Sequence, residues 1–188
     1  NWKMLSLAGR FIQEDRWGGE LNWTPAFRGG DEIYGESIRT RRWELFGNYQ
    51  LPVKEDISLQ VSANGHKQDS YYGDMFYLAD QRIGFGQLTW NKTLGKNQLL
   101  TGLAYRYTYY DDNTPATAES GGVGNNPAQI HLPGFFAQNE FKFKSNQSLL
   151  AGLRYDYNSV HGGIWSPRIN YKLSSKDQSL IWRTSFGN

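Results

Sequence analysis

The chain lacks cysteine, a long apolar run and an excess of either charge. There are 0 Cys among 188 residues, which excludes disulfides and thiolate metal sites. No stretch approaches the roughly 18 apolar residues of a transmembrane helix. Lys and Arg number 20 against 18 Asp and Glu, a balance that argues against nucleic acid as a partner. An initiator Met and a signal peptide are also missing, so we expect a fragment of a longer protein.

Aromatic residues are abundant although the chain is polar on average. There are 7 Trp, 12 Tyr and 10 Phe, yet the mean hydropathy is −0.67. A soluble domain this rich in rings would carry more aliphatic core. A large barrel shows one face to lipid and the other to a polar lumen, so its mean hydropathy stays low. This composition favours a transmembrane β-barrel.

Alternation of apolar and polar residues predicts about nine strands. Residues 149–158 are the clearest case: Leu149, Leu153 and Tyr157 share one face, and Arg154 lies on the other. The remaining strands are predicted over residues 3–13, 38–50, 57–66, 81–92, 99–110, 134–144, 165–173 and 180–186.

The predicted strands are joined by short and long connections in turn. Short connections are predicted at 51–56, 93–97, 144–148 and 174–178, and long ones at 14–36, 66–80, 111–133 and 158–163. Short turns at one end and long loops at the other are typical of an outer-membrane barrel. The predicted fold is therefore an all-β, antiparallel, up-and-down transmembrane β-barrel.

Rings near the strand ends, such as Tyr49, Trp90 and Tyr171, fit the aromatic girdles of such a barrel. The alternative is the ordinary strand propensity of aromatic residues in a soluble sheet. Single-chain bacterial barrels have an even strand count, so nine strands need further strands to close.

Several motifs resemble TonB-dependent receptors, particularly those of Bacteroidetes. They are, in chain order, Tyr109–Pro115 (YYDDNTP), Leu132–Glu140 (LPGFFAQNE), Leu149–Tyr157 (LLAGLRYDY), Ser159–Tyr171 (SVHGGIWSPRINY) and Arg183–Gly187 (RTSFG). The resemblance covers roughly residues 70–188 by motif, and residues 1–70 by architecture alone.

The resemblance implies a barrel of about 22 strands, of which residues 1–188 would be a partial transmembrane domain, with the N-terminal plug domain absent from this chain. It also implies the outer membrane of a Gram-negative cell, with membrane lipid as surroundings and TonB as the energising partner, reached through the missing plug. The implied activity is active uptake of a scarce large solute such as a siderophore–iron complex, haem or cobalamin. In Bacteroidetes the family also takes up glycans and peptides.

Eight residues are candidate solute contacts in the loops or the lumen, and each has a plainer alternative. Acidic and amide groups at a loop start could instead cap the loop, histidines could serve as surface or turn residues, and lumen arginines could pair within the barrel wall. The candidates are Tyr110, Asp111, Asp112, Asn113, His131, His161, Arg106 and Arg154.

No catalytic, cofactor or metal site is predicted. A Gly-x-Ser-x-Gly elbow is missing, and the glycine-rich run 119–126 lacks the Gly-Lys-Ser/Thr ending of a phosphate loop. The chain is therefore not expected to be an enzyme. A passive porin-like or adhesin-type barrel and a soluble carbohydrate-binding β-protein remain alternatives to a TonB-dependent receptor.

Overall fold

A computed structural model describes residues 4–122 and 124–187 of the chain. Nine β-strands account for most of them. Their bounds are β1 Leu5–Gly19, β2 Gly35–Gln50, β3 Asp56–Tyr72, β4 Met75–Leu94, β5 Asn97–Asp112, β6 Ala128–Lys144, β7 Gln147–Asn158, β8 Gly162–Ser174 and β9 Ile181–Gly187. Two single-turn 3₁₀ helices, Pro25–Phe27 and Pro115–Thr117, lie in the connections before β2 and β6.

All nine strands form one sheet in chain order, and each is antiparallel to the next. This confirms the predicted up-and-down, all-β topology. β1 and β9 are the edges of the sheet, so the described residues form an open wall. Within residues 4–122 and 124–187, no helix is both long and apolar enough to span a membrane.

The two faces of the sheet differ in chemistry. One face, here the outer face, carries large apolar side chains that are open to their surroundings, including Leu7 (74% exposed) and Leu103 (63% exposed). The opposite face, here the lumen face, carries Glu44, Arg106 and other polar side chains. Since an apolar face of this extent is not stable against water, lipid is its natural cover.

An interior core of the usual kind is nearly missing. Among the described residues, Ala104 is the one hydrophobic residue that is buried. Continuous antiparallel hydrogen bonding and cross-strand side-chain contacts therefore hold the wall together.

The predicted long connection over residues 66–80 is wrong. β3 continues to Tyr72 and β4 starts at Met75, so a tight turn at Gly73 and Asp74 joins them. Gly73 has φ of 64°, the left-handed conformation that a two-residue hairpin turn requires. The predicted long connection over 158–163 is likewise only the three residues 159–161.

The other two long connections are real but shorter than predicted. They span residues 20–34 and 113–127, because β1, β2, β5 and β6 all continue past their expected ends. The four short connections at the opposite end are confirmed at residues 51–55, 95–96, 145–146 and 175–180.

Several strands are longer than a bilayer requires. A tilted membrane strand needs about 9–11 residues, whereas β4 has 20 and β3 has 17. On the outer face the continuous apolar rows end near the paired residues Phe11 and Trp43. Beyond that pair the strands continue as a projecting region of mixed polarity, here called the strand extension, which comprises residues 13–19, 35–41, 67–72, 75–80 and 109–112. Exposed apolar side chains such as Trp17 and Phe76 recur within it.

Candidate functional site

A trough of about 290 Å³ lies on the lumen face across β6, β7 and β8. It runs between two cross-strand rows of side chains. Phe136, Arg154 and Ser166 form one row, and Gln138, Gly152 and Arg168 form the next. Gln87 reaches the trough from β4. The trough therefore combines two cations, two amides and one aromatic ring.

Arg154 is held rigidly within this trough. Its Nε donates to Oδ2 of Asp156 over 2.6 Å, and its Nη2 donates to Oδ1 over 2.7 Å. Residues two apart on a strand share a face, so the pair forms within β7 itself. The guanidinium carbon also lies 5.7 Å from the centre of the Phe136 ring, within cation–π range.

Glycine creates the space for the aromatic part of the trough. The ring of Phe136 lies over Gly102 of β5, at the position where a Cβ would stand. A side chain at residue 102 would displace the ring. The ring is thus held against the barrel wall beside Arg154.

Arg106, a second predicted candidate, also lies on the lumen face. It pairs with Phe85 of β4 and Leu132 of β6, and it is exposed. Its side chain makes no hydrogen bond or ion pair with another described residue. Arg106 therefore presents an uncommitted guanidinium to the lumen.

Glu44 anchors a separate ion cluster on the lumen face. Its carboxylate accepts a hydrogen bond of 2.7 Å from Nε of Arg10 and also contacts Nη2 of Arg42. Only 2% of the Glu44 side chain is exposed. This cluster ties β1 to β2 and matches the barrel-wall alternative for lumen charges.

Asp112 fastens the base of the 113–127 loop. Its carboxylate accepts hydrogen bonds from the backbone N–H and hydroxyl of Thr114 at 2.9 and 2.8 Å. The Tyr110 hydroxyl donates to it over 2.8 Å, and the buried Thr117 hydroxyl lies 3.0 Å away. These contacts occupy Asp112 as a loop cap.

The pKa of the Asp112 carboxyl reflects the same contacts. Burial acts to raise the pKa of Asp112, but the hydrogen bonds from Thr114, Tyr110 and Thr117 outweigh it and lower the pKa below the ordinary value. The hydrogen bond between Tyr110 and Tyr77, with burial and Asp112, raises the pKa of the Tyr110 phenol. Asp112 is therefore a carboxylate at neutral pH, and Tyr110 is protonated.

Asp111 and Asn113 are also engaged within the loop base. Asn125 donates from its side-chain amide to both Asp111 oxygens, at 2.9 and 3.1 Å. The Asn113 side chain accepts from the backbone N–H of Leu78 at 2.7 Å and donates to the carbonyl of Phe76 at 3.1 Å. Asn113 thereby continues the hydrogen bonding to β4 by one residue past the end of β5.

The two candidate histidines lie apart from the lumen trough. His131 is within β6 on the outer face, where Nδ1 lies 2.7 Å from the Tyr105 hydroxyl and the ring lies 5.1 Å from that of Tyr107. His161 is exposed in the turn before β8, and its backbone N–H donates to the Asn158 side chain over 3.1 Å. His131 therefore lies on the opposite face from Arg106 and Arg154.

Sequence reasoning missed the aromatic element of the trough. Phe136 follows Phe135 in the sequence, and the outer-face alternation draws attention to Phe135 instead. The available signal was Gly102, which lies opposite Phe136 on the neighbouring strand.

Across the described residues, no group of three or more His, Cys, Asp or Glu side chains is arranged to hold a metal ion.

Comparison with known proteins identifies one family. A family model described as TonB dependent receptor-like, beta-barrel, matches residues 5–188. A search of curated proteins found no match. The match covers every strand described above.

Proposed function

The chain belongs to the family of TonB-dependent receptor-like β-barrels, and from that premise we propose that it takes part in active uptake of a scarce large solute. The family consists of outer-membrane receptors and transporters, and it is not an enzyme family. The observation that carries the proposal is an open nine-stranded wall with an apolar outer face and a polar lumen face. Because the family is one of membrane barrels, it argues against the alternative of a soluble carbohydrate-binding β-protein.

We propose that the nine strands are one part of a barrel of about 22 strands, with a plug domain elsewhere in the full protein. The two edge strands support this extension. β9 is exposed along its whole length, and an unpaired apolar edge in lipid would leave backbone groups unsatisfied. Further strands of the same protein would pair with β1 and β9.

The proposed solute is a metal chelate or a comparable large molecule, of the siderophore–iron, haem or cobalamin class. Anionic oxygens of such a solute would meet Arg154, Arg168 and Arg106 on the lumen face. A planar or apolar part would stack on Phe136. Amide side chains at Gln87 and Gln138 add hydrogen bonds that fix orientation.

The loop-base residues Tyr110, Asp111, Asp112 and Asn113 would support binding indirectly. Their side chains are engaged in fastening the 113–127 loop, so the loop, rather than these carboxylates, would meet an arriving solute. His161, exposed at the same end of the wall, is the proposed contact in the 159–161 turn, and His131 would line the membrane interface.

Uptake in cells tests the proposal. Full-length receptor would be expressed in a Gram-negative host without its own receptors, with and without TonB, and supplied with radiolabelled ferric siderophore, haem or cyanocobalamin. We expect one solute to accumulate, and only with TonB present. Arg154→Gln should reduce accumulation several-fold, and Lys176→Gln, in a short turn at the opposite end of the wall, should leave it unchanged.

Two outcomes would contradict the proposal in different ways. Equal accumulation with and without TonB would indicate a passive porin-like barrel. Failure of all three solutes to accumulate, with the barrel correctly inserted, would remove the proposed solute class.

A further inference from the structure

A row of cations crosses the lumen face near the short turns of the wall. Lys142 of β6 pairs with Ser148 of β7, Ser148 pairs with Lys172 of β8, and Lys172 pairs with Arg183 of β9. These four residues are here called the basic row. All three cations are exposed, and none makes an ion pair or a side-chain hydrogen bond with another described residue.

The cations of the basic row repel one another. Lys172 and Arg183 lie directly opposite each other on β8 and β9, where Cβ atoms are about 5 Å apart. Like charges in that position destabilise a sheet. Lys142 adds a third charge two strands away, at about 10 Å. An oxyanion bound to the row would remove this repulsion, and the Ser148 hydroxyl would add a neutral hydrogen-bond donor.

Charge is unevenly distributed over the lumen face of the described strands. On β6–β9 the acids are Asp156, which binds Arg154, and Glu140. They face the cations of the basic row together with Arg154 and Arg168. On β1–β5 the two signs nearly balance. The cations there are Arg10, Arg16, Arg42 and Arg106, and the acids are Glu14, Glu36, Glu44, Asp56 and Asp112. The β6–β9 part of the lumen face therefore attracts anions.

The basic row continues the lumen trough toward the short turns. Arg168 in the trough and Lys172 in the row are four residues apart on β8, so they share a face. At about 3.4 Å per residue, they are separated by roughly 14 Å along the strand. Short turns of an outer-membrane barrel are periplasmic. The row therefore lies where a solute from the trough would leave the barrel.

We propose that the basic row binds a carboxylate or phosphate group of the transported solute on its way out of the trough. The inference rests on the proposed function and narrows the solute to an anionic one. Two of the three cations are lysines, whose ammonium is a hydrated point charge on a flexible stem. Such exposed groups suit a brief contact with a passing oxyanion.

Lysine acylation of the purified full-length receptor tests this site, with inorganic pyrophosphate as the probe. Potassium chloride at equal ionic strength is the reference, and mass spectrometry gives the acylation rate of each lysine. We expect pyrophosphate to slow acylation of Lys142 and Lys172 several-fold. Lys54, exposed in the β2–β3 turn, and Lys67, exposed on the outer face, should react at unchanged rates.

A matched pair of variants locates the binding. Arg183→Gln removes one cation of the row and keeps both reporting lysines, so most of the protection by pyrophosphate should be lost. The control, Arg16→Gln, removes an exposed arginine of the lumen face that is only loosely paired, at 3.4 Å to Glu14. Arg16 lies at the opposite end of the wall, so this control should keep full protection. Heat-modifiable gel migration verifies that both variants are folded.

Three outcomes would overturn the assignment. Protection of no lysine would show that the row does not bind an oxyanion. Equal protection of Lys54 and Lys67 would indicate an adventitious ion only. Slow acylation of Lys142 and Lys172 with and without pyrophosphate would mean that an acidic segment elsewhere in the receptor covers the row.

The comparison with and without pyrophosphate uses the unaltered protein, so the test stands even if a variant folds poorly. It also involves no transport. A negative result here is therefore distinguishable from a negative result in the uptake experiment, which would count against the proposed function itself.

Discussion

Asn125 reaches across the 113–127 loop to Asp111 and donates from one amide nitrogen to both carboxylate oxygens, at 2.9 and 3.1 Å. This contact brings the returning end of the loop back to the end of β5. Beside it, Asp112 binds Thr114 and Thr117 on the outgoing side. Two adjacent carboxylates thus fasten the two ends of one long loop.

Replacing Asp112 should loosen the loop and leave the sheet intact. Asp112→Ala removes the carboxylate that accepts both Thr114 hydrogen bonds and the 3.0 Å contact from Thr117, and leaves the Thr117 bond to the Asp112 backbone carbonyl in place. A hydrogen bond to a charged group contributes about 1.5–3 kcal/mol. We expect amides of the 113–119 segment to exchange at least about tenfold faster. Hydrogen exchange followed by mass spectrometry measures this in the full-length receptor.

Asp74→Ala is the matched control for the loop experiment. Asp74 lies exposed in the tight β3–β4 turn, and its side chain makes no hydrogen bond with another described residue. Its removal should leave exchange in the 113–119 segment unchanged. Unaltered exchange in Asp112→Ala would mean that the loop is fastened by other contacts.

The 175–180 turn contains a carboxyl with an unusually low pKa. Hydrogen bonds from Ser175 and Ser179 lower the pKa of Asp177 to about 2. A carboxyl whose pKa is lower in the folded state stabilises that state above its unfolded pKa of about 3.9, and the contribution is lost as pH falls toward 2. The turn should therefore weaken between about pH 4 and pH 2.

Carbon-detected NMR of labelled aspartate carboxyls in detergent tests the turn. Asp177 should titrate near 2, and Ser175→Ala should raise that midpoint because it removes the largest cause of the shift. Ser145→Ala, in another short turn at the same end, should not move it. A wild-type midpoint near the ordinary aspartate pKa would show that Ser175 and Ser179 do not hydrogen-bond Asp177 in this way.

The strand order was predictable because the outer face must remain apolar wherever lipid covers it. Residues 149–158 alternate cleanly for that reason, and β7 was placed within two residues of its observed bounds. The same logic fails in the strand extension. Lys67, Gln68, Asp69 and Ser70 are polar on both faces, so no period of two marks them as strand.

The candidate site was less predictable, since its contacts depend on partners distant in sequence. Asp112 was correctly noted at a loop start, but the Thr117 that engages it could not be identified from spacing alone. Phe136 lacked any signal of its own, because its position on the lumen face depends on Gly102 of another strand. His131 was expected near a loop and lies within β6, because pairing with Tyr107 extends that strand.

Two glycines on the outer face should respond differently to the same substitution. A Cβ on Gly65 would collide with the Trp43 indole, whereas nothing lies within 4 Å of a Cβ on Gly84. Gly65→Ala should destabilise the barrel by about 1–3 kcal/mol as the ring is displaced. Gly84→Ala should stay within about 0.5 kcal/mol of wild type.

Urea unfolding of refolded full-length receptor, followed by heat-modifiable gel migration, compares the two variants. Both glycines lie on the outer face, on the neighbouring strands β3 and β4. Equal midpoints for the two variants would show that Trp43 does not rest on Gly65 in the membrane.

Replacing Arg28 with either alanine or lysine should release the 20–34 loop. Its guanidinium donates to the Ser37 hydroxyl at 2.8 Å and to the Asp69 carboxylate at 2.7 Å, and it lies 4.3 Å from the Tyr71 ring centre. Lysine keeps the charge but lacks the planar fork that meets these partners together. Since only 14% of the Arg28 side chain is exposed, its contacts should be worth more than those of a surface pair.

Limited proteolysis of the full-length receptor distinguishes these variants. We expect Arg28→Ala to be cut fastest within residues 20–34, Arg28→Lys at an intermediate rate and the wild type slowest, because cleavage follows the open population of the loop. Arg16→Lys, at an exposed and loosely paired arginine of β1 (3.4 Å to Glu14), should be cut like the wild type. A lysine variant as resistant as the wild type would reduce the role of Arg28 to its charge alone, and the Ser37 and Tyr71 contacts would then add nothing to the hold on the loop.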